Sequence, residues 1–93
     1  MITKFKEYLE KSNLAKTTMN VYISTVEYYL RHYDDVSVSN LLAYKGYLLE
    51  HFKPQTVNLR IQAINKYLDF LDYENLKMKF VKVQQKNFLE NVI

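Results

Sequence analysis

Five apolar residues, Val57, Ile61, Ile64, Leu68 and Leu71, recur at alternating steps of four and three through KPQTVNLRIQAINKYLDFL, the stretch from Lys53 to Leu71. At about 3.6 residues per turn that spacing puts all five on one narrow arc of a helix, and it is incompatible with the period of two that a half-buried strand needs. The seam is therefore read as core. On the opposite arc lie Gln55, Asn58, Gln62, Asn65, Lys66 and Asp69, with Arg60 at the border, where a long side chain can reach round. A solvated helix face usually interleaves Glu with Lys, yet no acid stands between His51 and Leu68. Amides and cations without acids suit a polyanion with readable base edges. Asn and Gln can bond adenine in two places at once, Arg can do so with guanine, and Lys mainly meets phosphate.

A chain of 93 residues allows one domain with a real core, and a single Gly and a single Pro leave little room for long loops. With 48% hydrophobic residues the chain is expected to be ordered and helical. The absence of Cys excludes disulfides and thiolate metal sites. No apolar run is long enough to span a bilayer and no secretory leader is legible, so a soluble, cytoplasmic protein without a membrane partner is expected. A net charge of +3 is modest. Its distribution is more telling: six basic residues balance six acidic ones in the first fifty positions, whereas Lys53, Arg60 and Lys66, then Lys77, Lys79, Lys82 and Lys86, fall in two acid-free stretches.

Three further helices are predicted upstream. Residues 2–11 place Ile2, Phe5, Tyr8 and Leu9 on one side, and this helix is expected to end near Ser12-Asn13. A second helix from about Lys16 to Tyr33 repeats Met19, Tyr22, Ile23, Val26, Tyr29, Leu30 and Tyr33 at steps of three and four. Asp34-Asp35 breaks it, and Ser37 or Ser39 can cap a third helix of roughly Asn40 to Phe52. Gly46 lies inside that helix, which is explained either by close approach of a neighbouring helix or by simple tolerance. Pro54 suits the first turn of the fourth helix. After Asp72 the periodicity fades, and Asn75 to Gln85 reads as an extended basic linker or a strand, the linker being preferred. In Asn87 to Ile93, the residues Phe88, Leu89, Val92 and Ile93 want a surface to cover them, which suggests a piece of a larger protein.

Catalysis finds no constellation. His32 and His51 each end a predicted helix, where an imidazolium favours the dipole and no second ligand stands at metal spacing. Asp34-Asp35 has the composition of a helix stop, and one glycine builds neither a phosphate loop nor a nucleophile elbow. The nine tyrosines fall largely on or beside apolar seams, as amphipathic core edge. No catalytic residue, metal site or cofactor is assigned.

The ordered set FKEYL, AKTTMNVYISTVEYYLRHY, VSNLLAYKGYLLEHF and PQTVNLRIQAINKYLDFL resembles the N-terminal core-binding, SAM-like domain of tyrosine recombinases, the phage-integrase family. In that family the second helix commonly opens with a Ser/Thr pair before an apolar residue and a Tyr, like Thr17-Thr18-Met19-Asn20-Val21-Tyr22. The fourth carries a run like Arg60-Ile61-Gln62-Ala63-Ile64-Asn65 before an aromatic, although Gln62 replaces the usual Ser and Asn65 stands where Arg is common. The resemblance implies an all-α four-helix bundle over residues 1–74 that forms half of a clamp on a core-type recombination half-site, with helices two and four towards double-stranded DNA. Residues 75–93 would be the basic linker to the catalytic domain of the same parent chain, which holds the attacking tyrosine and is absent here. Other recombinase protomers on DNA would be the remaining partners, and this piece would bind rather than catalyse.

The residues themselves give the expected DNA-binding set. Lys16, Lys53 and Lys66 would meet phosphates, Thr17, Thr18, Ser24 and Thr56 would add hydroxyls and Asn20 an amide, and the N–H groups opening helices two and four would face phosphate. Gln55, Asn58, Arg60, Gln62 and Asn65 would read bases. The rival expectation is a helical protein-interaction module that docks a partner on a Tyr-rich face of helices two and three.

Overall fold

The computed structural model describes residues 2–82, and within them the backbone forms four α-helices, one 3₁₀ turn and no strand. The helices are α1 (Ile2–Glu10), α2 (Lys16–His32), α3 (Val38–His51) and α4 (Pro54–Leu71), followed by the 3₁₀ turn Glu74–Leu76. Residues 83–93 of the expected linker, with Lys86 and the apolar set Phe88, Leu89, Val92 and Ile93, lie outside the described residues. No helix in the described part is long and apolar enough to cross a membrane.

The apolar seam of α4 is the centre of the bundle, with Val57, Ile61, Ile64 and Leu68 at most 1% exposed. Against it pack Phe5 and Leu9 of α1, Tyr22, Val26 and Tyr29 of α2, and Leu41, Tyr44 and Leu48 of α3. The three-four repeats of α1 and α4 turn inwards as their spacing predicts, whereas Leu30, expected in the α2 seam, is 39% exposed. On α3, Leu42 and Leu49, also expected in the seam, are 64% and 53% exposed, so that only Leu41, Tyr44 and Leu48 of that helix reach the core. Tyrosine does much of the filling. Tyr29 and Tyr44 meet edge to face with centroids 5.5 Å apart, and Tyr33 meets Tyr44 in the same way at 5.9 Å. The Tyr29 hydroxyl donates to the Asp35 carbonyl at 2.8 Å, so its one polar atom is satisfied inside the turn between α2 and α3.

Helix ends follow local chemistry. Asn13, at φ 63°, and Asp72, at φ 66°, adopt the left-handed conformation that stops α1 and α4. At α4 the Tyr73 N–H reaches back to the Leu68 carbonyl and the Asp72 N–H to that of Asp69, a Schellman motif. Ser37, not Ser39, caps α3: its hydroxyl accepts the Asn40 N–H at 3.2 Å, which starts the helix at Val38, two residues before the expected boundary. Gly46 needs no neighbour to explain it, since a Cβ there would meet nothing within 4 Å. Of the two readings of that glycine, simple tolerance holds.

Beyond the 3₁₀ turn the chain doubles back on the bundle as an extended strap, residues 77–82, lying between α3 and α4. Met78 is 8% exposed. Asn65 accepts the Met78 N–H on Oδ1 at 2.7 Å and donates Nδ2 to the Met78 carbonyl at 3.0 Å. Two helical turns earlier, Asn58 does the same for Val81, at 2.8 and 2.9 Å. The strap thus runs antiparallel to α4, and Lys45 of α3 donates to the Lys79 carbonyl at 2.7 Å from the other side. Asp69 pairs with Lys77 at 2.7 Å where the strap begins.

Candidate nucleic-acid interface

The outer arc of α4 divides into two parts. Gln55 and Gln62 are exposed and, among the described residues, neither carboxamide is hydrogen-bonded. Asn58 and Asn65, expected on the same reading face, are half-buried because the strap occupies them. An Asn carboxamide carries one carbonyl and one NH₂ side by side, which is the same donor–acceptor pair that a peptide group presents along a strand. The pairs that would suit adenine therefore grip backbone instead.

Arg60 also departs from its expected role. Its side chain turns inward, with the guanidinium carbon 5.1 Å from the Phe52 ring centroid and Nη1 donating to the Thr25 hydroxyl at 3.4 Å. Thr25 is fully buried and passes its own proton to the Val21 carbonyl at 2.7 Å. The Nε of Arg60 is buried without a hydrogen-bond partner among the described residues. Lys66 leans towards α1, with Nζ 5.5 Å from the Tyr8 ring centroid, and keeps its charge on the surface of the bundle.

The phosphate candidates stand at two helix starts. Lys16 and Thr17 are exposed at the opening of α2, whose N-cap Ala15 has no capping side chain. Lys53 is the exposed N-cap of α4 and likewise offers no side-chain cap, with Pro54 next and Gln55 and the half-buried Thr56 in the first turn. Neither first turn contains an acid. Among the described residues no side chain thus caps the first N–H groups of either helix, whereas in α3 the Asn40 N–H is served by the Ser37 hydroxyl. Thr18 is half-buried, Asn20 is exposed, and the exposed Ser24 donates its hydroxyl to its own helix, to the Val21 carbonyl at 3.2 Å.

Gln62 and Lys66 share a groove of about 370 Å³ with Asn65 and Asp69. Leu14 and Tyr22 form one wall, while Phe80 and Lys77 of the strap form the other. Phe80, 56% exposed, is a wall residue that the sequence did not reveal. The run Leu76, Met78, Phe80 and Val81 was the available signal, since a strap needs apolar anchors, but a linker reading hides it.

Two buried phenols have shifted acidity. Burial, reinforced by the Asp35 carboxylate, pushes Tyr29 up to about 12. Burial also pushes Tyr44 up to about 12, although the Arg60 guanidinium acts in the opposite sense. Both phenols stay neutral at any physiological pH, which leaves them as packing groups rather than nucleophiles. Among the described residues no three His, Cys, Asp or Glu side chains are grouped to hold a metal ion. His32 and His51 sit exposed in the last turns of α2 and α3, each with its ring tilted against that of the tyrosine one turn before it, Tyr28 and Tyr47. No family model matches the chain, and no curated protein or solved structure is similar enough to it to count as a match.

Proposed function

We propose that this domain binds double-stranded DNA as the core-binding, SAM-like module of a tyrosine recombinase, through α2 and α4. One observation carries the reading. Of α2, α3 and α4, all of which open without an acid, the two helices that the resemblance turns towards DNA are the two that begin with an exposed lysine and no capping side chain. Free N–H groups at a positive dipole end beside Lys16 and Lys53 form a backbone-positioning pair of contacts for phosphates. Gln55 and Gln62 then present unoccupied amides to a groove, with Lys66 behind them. Cleavage and strand transfer would belong to a downstream catalytic domain of the parent, and other protomers would complete the clamp.

The test is a chemical-shift map of the labelled protein titrated with a short duplex at low salt, where phosphate-driven binding is strongest. Shifts gathered at Lys16 to Ser24 and at Lys53 to Lys66 are expected. Lys66→Ala should weaken binding to all sequences alike and lower the salt slope by about one; an unchanged slope rejects a phosphate contact there.

A protein-docking role is favoured by a different surface. On α3, Val38, Leu42 and Leu49 are 57%, 64% and 53% exposed, and on the opposite flank of the helix Tyr47 stacks on Tyr28 of α2 with centroids 5.5 Å apart. Absence of shifts on α2 and α4 with DNA would move the assignment to that surface.

A further inference from the structure

The geometry points to a latch: the strap of residues 77–82 and a DNA duplex compete for Asn58 and Asn65, so that binding DNA on the amide face releases the strap. This rests on the DNA reading above. At about 100° per residue, Gln55, Asn58, Gln62 and Asn65 fall within about 80° of one another around α4. A duplex laid on the two free glutamines therefore meets the strap at the flank. The competition is for identical chemistry, because each asparagine offers the strap one carbonyl and one N–H, which is what a bidentate contact to adenine requires. Both pairings cannot form together.

The strap is also built to leave. Its hold consists of the four asparagine bonds, the Lys45 bond to the Lys79 carbonyl, the Lys77–Asp69 pair, the well-buried side chain of Met78 and the partly buried one of Val81. Lys79, Phe80 and Lys82 are exposed, so the apolar area uncovered on release is mainly that of Met78 and Val81. Once free, Lys77, Lys79 and Lys82 are drawn to the phosphates that displaced them. The path of residues 77–82 would then differ between free and bound protein.

Met78→Pro and Val81→Pro each remove the N–H that one asparagine accepts and leave α4 untouched. Duplex affinity would be measured at fixed salt for the parent chain and both variants, with melting curves to confirm that the bundle is intact. If the latch is closed in the free protein, Val81→Pro should bind about fivefold tighter, the factor expected for one lost hydrogen bond, and Met78→Pro, which also removes the buried side chain of the strap, at least as much. Independently, amide exchange at Met78 and Val81 should be slow in the free protein and should accelerate in the complex, while Ile61 and Ile64 stay protected. Unchanged or weaker binding by the variants, or protection retained in the complex, overturns the latch and leaves the asparagines as fixed brackets, with the DNA reading intact. Failure of every form to bind a duplex overturns the DNA reading, and the latch with it.

Discussion

The α2–α3 contact and the α4–strap contact hold the same small bundle together by opposite means. Between α2 and α3 the contact is made of rings: Tyr28, Tyr29, Tyr33, Tyr44 and Tyr47 meet at centroid distances of 4.8 to 6.2 Å, in stacked, tilted and edge-on arrangements. Its energy comes from apolar area and depends on volume being filled. Between α4 and the strap it is made of two carboxamides reading main chain. That contact depends on register and is indifferent to most strap side chains, because what is gripped is backbone. A bundle can thus be sensitive to shape on one flank and to spacing on the other.

Emptying the ring contact should produce the largest effect. Tyr44→Ala removes a side chain that is 1% exposed from the centre of the aromatic set and should cost about 3–5 kcal/mol, read from urea denaturation. Alkali attacks the same flank. Tyr29 and Tyr44 keep their protons to about 12, whereas the unfolded chain releases them near 10.0, so between those pH values the folded state binds more protons and stability falls as pH rises. Lys77 acts in the same direction, because its bond to Asp69 raises its folded value above 10.5. Melting temperatures at about pH 9 and about pH 11.5 should show the loss, and a flat profile would mean that the phenols are hydrated in the folded state.

Breaking the strap contact should cost less. Asn65→Ala leaves the Met78 peptide without its partner and is expected to cost about 1–3 kcal/mol, with faster exchange at Met78 as the local reading. Lys79→Ala, on the same strap, should change stability by no more than about 0.5 kcal/mol, since its gripped atom is a carbonyl. Equal effects from the two substitutions would erase the contrast drawn above. The smallest change is a gain: Gly46→Ala, with open space for the new methyl, should stabilise α3 by about 0.5–1 kcal/mol in the same denaturation assay.

The difference between the flanks also decides what could be read from the sequence. The three-four repeats of α1, α2 and α4 were legible because burial of a helical stripe is a local property of spacing, and Pro54 and the Ser37 cap are local as well. Asn58, Asn65 and Arg60 were not. Sequence placed the two asparagines with Gln55 and Gln62 on a polar arc, which is correct, but what meets that arc is a segment 13 or 23 residues further along the chain. Arg60 stood at the border of core and surface, and only the approach of Phe52 and Thr25 draws it inside. Lys16, Lys53, Gln55 and Gln62 stayed where the sequence put them, exposed on α2 and α4, because no other part of the described chain comes over them.

The paired asparagines act as a vernier between two unlike rulers. Seven residues of α-helix rise about 10.5 Å from Asn58 to Asn65, and three steps of extended chain from Met78 to Val81 cover about 10 Å. One residue added between Met78 and Val81 would throw the scales out by about 3 Å and disengage one asparagine entirely, whereas a residue added after Val81 would leave both marks aligned. Length between Met78 and Val81 is therefore fixed for as long as both asparagines hold the strap.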